Sequence, residues 1–163
     1  MNHWKNDKRW SDKFLPEIKS ILGQQLITEP PIEEDEKHNT DLIVLRLDAI
    51  RIGCRIRKFQ YIRNYGNQFT IRQSRPNGAK TELTKIIEGW GDYFFYGFCD
   101  EQENRICRWM LGDYKPFRIW FMRQVYNGKI PGHTKENFDG SSAFIAFNVC
   151  DIPGFVIASN WVN

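Results

Sequence analysis

Five aromatic residues, Tyr93, Phe94, Phe95, Tyr96 and Phe98, crowd into one strand-length run. A short apolar run bounded by turn signals reads as a buried strand, here residues 92–98. Residues 100–104, Asp-Glu-Gln-Glu-Asn, form a polar hairpin turn, and 105–111 return as the next strand. Helix and strand patterns alternate around this pair. Residues 10–23 predict a helix capped by Ser11 and stopped by Gly23, with Phe14, Ile18, Ile21 and Leu22 at helical spacing. Residues 40–47 and 51–58 predict two antiparallel strands joined at Asp48-Ala49, and 59–65 a helical turn ended by Gly66. A third strand spans 68–72, and a second helix 80–90, with Leu83, Ile86, Ile87 and Trp90 on one face. A third helix spans 114–126, with Phe117, Trp120, Phe121 and Val125 along one side. Residues 127–139 read as a loop, and 143–149 and 155–159 as a last hairpin. The expected fold is α/β: one domain over 1–163, a mixed β-sheet with an α-β-β-β-α-β core, extra strand hairpins and flanking helices.

A chain of 163 residues is long enough to bury a core, and aromatics make up 15% of it. No apolar run is long enough for a membrane-crossing helix, and the polar start Met1-Asn2-His3-Trp4-Lys5 lacks the apolar core of a signal peptide. The expected compartment is the cytoplasm. Cys54, Cys99, Cys107 and Cys150 form no C-x-x-C pair, and each falls in a strand-like stretch. They read as small buried apolar residues. Net charge is only +3, but its distribution is uneven. Residues 29–41 are acidic, whereas 46–75 hold Arg46, Arg51, Arg55, Arg57, Lys58, Arg63, Arg72 and Arg75 against Asp48 alone. Two readings follow: mutual neutralisation on one surface, or a basic groove for a phosphate backbone.

In the predicted hairpin, Asp41 opens the first strand and Arg55-x-Arg57 closes the second. An antiparallel pair with so short a turn brings these ends together. This arrangement resembles the PD-(D/E)xK nuclease superfamily, in which an acid opens one core strand and a D/E-x-K triplet ends the next. The resemblance implies a divalent metal, Mg, held by paired carboxylates, with a lysine that positions or activates water. Asp41 matches the first acid, but Arg55 stands at the second acid and Arg57 at the lysine. One carboxylate beside two guanidiniums suits a phosphate better than a hard cation. The chain also resembles small proteins of phages and prophages, through Thr40-Asp41-Leu42, Phe69-Thr70-Ile71-Arg72 and Gly89-Trp90-Gly91-Asp92-Tyr93. That second likeness carries no mechanism.

Some members of the superfamily carry the second acid on the following helix. Glu82 and Lys85, three apart on the second helix, would with Asp41 rebuild a carboxylate pair and a lysine. An ordinary surface ion pair is the competing reading. The metal candidates are therefore Asp41 and Glu82, and the catalytic candidates Asp41, Glu82 and Lys85. Arg55, Arg57, Lys58, Arg72 and Arg75 are the nucleic-acid candidates, with Arg72 and Arg75 flanking a turn where an anion would meet a helix start. Tyr61, Tyr65 and Phe69 interleave with these cations as stacking or core residues. The leading expectation is a DNA- or RNA-binding protein of phage or mobile-element origin on a nuclease-like scaffold, with cleavage weak or absent. The alternatives are an active Mg-dependent nuclease and a phage protein that binds a host protein.

Overall fold

Pro16 decides how the chain begins. A proline inside a helix removes a hydrogen bond and clashes with the carbonyl four residues back. The computed structural model accordingly has two helices where the sequence pattern predicts one: α1 (His3–Asp12) and α2 (Leu15–Leu26), broken at Lys13-Phe14. The structure describes residues 3–28, 43–44, 50–74, 80–129, 131–136 and 143–161. The chain divides into two compact units, Met1–Ile50 and Arg51–Asn163. In the first, Trp10 meets Phe14 edge-on at 5.4 Å, and Phe14 and Ile18 are buried. α2 runs on through Gly23 into β1 (Ile27–Thr28), which pairs antiparallel with β2 (Ile43–Val44). The expected hairpin partner of Ile43–Val44 was the strand at 51–58, so this pairing corrects it. Asp41 and the rest of the expected first strand lie outside the described residues.

The second unit holds two sheets. In one, β3 (Ile52–Arg57) lies parallel to β5 (Tyr93–Cys99), which is antiparallel to β6 (Ile106–Asp113), which is antiparallel to β9 (Val156–Ser159). In the other, β4 (Gln68–Ser74), β8 (Ala143–Asn148) and β7 (His133–Glu136) are antiparallel, in that order. The protein is thus mixed α/β, but the expected single mixed sheet is divided. A 3₁₀ turn (Phe59–Tyr61) running into α3 (Ile62–Tyr65) follows β3, and β4 pairs in the other sheet with the distant β8. The expected last hairpin is divided too. After β8 a 3₁₀ turn (Val149–Asp151) and the buried Ile152 and Phe155 take the chain across the core to β9. β7 falls inside the stretch read as a loop. Its four exposed residues show none of the apolar alternation that marks a strand.

The core lies between the sheets and is aromatic. Phe69 of β4 stacks on Phe155 at 4.7 Å and Phe147 at 5.4 Å, and meets Phe94 of β5 edge-on at 6.0 Å. Helix α5 (Tyr114–Tyr126), with the predicted bounds, adds Phe117, 6.0 Å from Phe69. Gly112 is needed where Phe155 crosses β6, because a Cβ there would sit 2.4 Å from the ring. Helix α4 (Glu82–Ile87) is shorter than predicted. Thr81 caps it, accepting the Thr84 N–H at 3.3 Å, and Gly89 follows in the left-handed region at φ 97°. The turn before it, with Arg75, lies outside the described residues. Of the four cysteines Cys99 is buried, whereas Cys54, Cys107 and Cys150 are exposed, against the expectation of buried residues.

Candidate nucleic-acid interface

Strand alternation puts Gly53, Arg55 and Arg57 on one face of β3, in register with Phe94, Tyr96 and Phe98 of β5. That is the face these core aromatics share. The guanidinium of Arg55 donates through Nη1 to the Thr70 carbonyl at 2.5 Å and to Thr70 Oγ1 at 3.2 Å. Through Nη2 it donates to Glu82 Oε2 at 2.5 Å. The Arg72 backbone N–H donates to the same oxygen at 3.0 Å. One half-buried ion pair therefore ties β3, β4 and α4 together, with 25% of the Arg55 and 27% of the Glu82 side chain exposed.

This arrangement does not fit a magnesium ion. A hard cation needs several free oxygen ligands. Here Glu82 Oε2 already accepts two N–H groups and lies against a positive charge. Among the described residues, no three His, Cys, Asp or Glu side chains come together as a metal site would require. Glu82 and Lys85 do share a shallow cleft of about 330 Å³ at the Gly53 end of β3, with Arg51, Lys80 and Trp90. Among the described residues its one carboxylate is the one bonded to Arg55, while Lys80 is held by Glu88 at 2.7 Å. Tyr114 also lines this cleft, and its phenol pKa is pushed up, first by burial and then by the charge of Glu82.

The other end of the face is different. Arg57 opens onto a cleft of about 230 Å³ between the two sheets. Its guanidinium carbon sits 4.5 Å from the centre of the Tyr61 ring. Across the cleft Lys135 lies 4.6 Å from the Tyr65 ring centre and donates to the Tyr65 hydroxyl at 3.3 Å. Tyr96, Phe98 and Ala146 contribute the apolar lining, Gln68 and Thr70 the polar one. Burial raises the pKa of Tyr96, against the lowering pull of Arg57, a hydrogen bond with Thr70 and Arg55, while the charge of Glu82 adds to the rise. Among the described residues no hydrogen bond or ion pair holds the Arg57 guanidinium.

Of the residues singled out from sequence, the structure joins Arg55 to Glu82, brings in Arg72 through its backbone, and places Arg57 apart from them. Lys58 pairs with Glu103 at 3.2 Å. Tyr61 and Tyr65 line the Arg57 cleft, whereas Phe69 is fully buried and belongs to the core. Asp41 and Arg75 lie outside the described residues. Sequence reading missed Lys135 and Tyr96 as cleft residues. The aromatic run hid Tyr96 among core positions, and the polar His133-Thr134-Lys135-Glu136 gave no strand signal. Among the described residues no helix is long and apolar enough to cross a membrane. No family model, curated protein or solved structure matches the chain.

Proposed function

We propose that the protein binds nucleic acid through the Arg57 cleft and does not cut it by a metal-dependent route. The observation that carries this is the contrast along β3. Arg55 is closed onto Glu82, while Arg57 stands over an aromatic ring in an open cleft with Lys135 opposite. Cations beside aromatic rings recognise nucleic acid by neutralising phosphate and stacking on bases. The resemblance to PD-(D/E)xK nucleases and to phage proteins agrees with such a partner, on a scaffold whose relocated acid is occupied. DNA or RNA binding should fall steeply with salt. A nuclease assay with magnesium or manganese on wild type, Asp41→Ala and Glu82→Ala checks the catalytic half. We expect no cleavage by any of them, and cleavage by wild type that both substitutions abolish would establish the relocated-acid nuclease instead.

A second reading is a protein partner with no nucleic acid. The exposed Ile119, Met122, Val125 and Tyr126 of α5 favour it. Absence of oligonucleotide binding at low salt would decide for that reading.

A further inference from the structure

We infer that the Arg57 cleft seats an unpaired base of a single strand and does not read a duplex. This rests on the nucleic-acid reading above and names its ligand. A duplex presents phosphates and groove edges on a convex surface, and its bases stay inside the stack. The cleft is concave and lies between two sheets, so what enters it must be narrow. Its walls suit a flat ring. The Arg57 guanidinium lines the cleft 4.5 Å from the Tyr61 ring centre, and a guanidinium plane is a surface on which a base stacks. Tyr65 supplies another ring, 6.4 Å from Tyr61 between centres. The Gln68 amide in the lining carries both a donor and an acceptor for a base edge.

Charge points the same way. Among the described residues, Arg57 and Lys135 line the cleft together with one carboxylate, Glu136. Two cations against one acid suit a single backbone phosphate beside a base, and not a polyphosphate. Gly53 and Arg57 are four positions apart on β3, about 13 Å of strand. Between them the face is closed by the bridge from Arg55 to Thr70 and Glu82, so the second cleft, with Arg51 and Lys85, does not continue the seat.

The test is fluorescence anisotropy on the full chain at low salt. The probes are labelled oligodeoxythymidylate, oligouridylate, an abasic-spacer strand of equal charge, and a blunt duplex. Base-bearing strands should bind about tenfold or more tightly than the abasic strand, because stacking on aromatic side chains is strong and tolerant of sequence. Both DNA and RNA strands showing that preference assigns the seat to the base alone, and a preference confined to RNA assigns it a 2′-hydroxyl contact as well. Tyr65→Ala, at an exposed position, and Arg57→Lys, which keeps the charge but loses the plane, should each bring the ratio towards one. Equal affinity for abasic and base-bearing strands, or tighter binding of the duplex, overturns the base seat and leaves nucleic-acid binding standing. Failure of every strand to bind overturns both.

Discussion

Arg55 and Arg57 share one face of one strand, two residues apart, yet the structure gives them opposite fates. Arg55 spends its donors on Thr70 and Glu82 inside the protein. Arg57 sits over Tyr61 at the mouth of a cleft. The lesson is that an Arg-x-Arg pair on a strand is not one functional unit. Each member is defined by what crosses its end of the strand. At Arg55 that is the first turn of α4, which brings a carboxylate. At Arg57 it is the 3₁₀ turn and α3, which bring two tyrosines.

The largest effect should come from breaking the closed end. Glu82→Ala leaves a half-buried guanidinium and the Arg72 N–H without their acceptor, and should cost about 2–3 kcal/mol in chemical denaturation. Arg57→Ala should cost less than about 1 kcal/mol, the value of a partly exposed cation–π contact. Equal losses for the two would dissolve the comparison.

Alkaline pH probes the buried phenols beside Arg55. Tyr114 and Tyr96 both have folded pKa values above the ordinary tyrosine value, chiefly through burial. Below about pH 10 neither chain state loses these protons, so their contribution is intact. Above it the unfolded chain ionises first, and stability falls as pH rises towards the folded values, by about 1.4 kcal/mol per pH unit for each phenol. Tyr114→Phe should flatten that decline in melts taken across the alkaline range. An unchanged slope would mean that the phenol ionises in place.

Binding should respond in the opposite order to stability. Arg57→Ala should lower the slope of log affinity against log salt by about one, as one lost phosphate contact requires. Arg55→Ala, measured where it remains folded, should leave the slope unchanged. A reduced slope for Arg55→Ala alone would reverse the roles of the two arginines. The smallest effect belongs to Lys58. Its pair with Glu103 is largely solvated, so Lys58→Ala should change stability by less than about 1 kcal/mol in the same denaturation series.

Much of the local structure was legible in the residues. Helix 114–126, the helical turn at 59–65 ended by Gly66, the polar turn at 100–104 and most strands of the second unit follow from hydrophobic period and turn chemistry. Pro16 is as plain a helix breaker, but the helical spacing of Phe14, Ile18, Ile21 and Leu22 runs across it and masks the break. The candidate site was legible as a set of residue types: Arg55, Arg57, Glu82, Tyr61 and Tyr65 were all singled out. Their partnership was not.

By itself the sequence determined which segments coil or extend and which side chains seek burial, because propensity, caps and breakers act over a few residues. Only the tertiary structure decided that β3 runs parallel to β5, that β8 and β9 belong to different sheets, and that Glu82 closes on Arg55 while Lys135 reaches Tyr65. Apolar alternation specifies that a strand has a buried face. It does not specify which strand lies beside it or which charge lies across it, since those choices are made by packing between segments far apart in the chain.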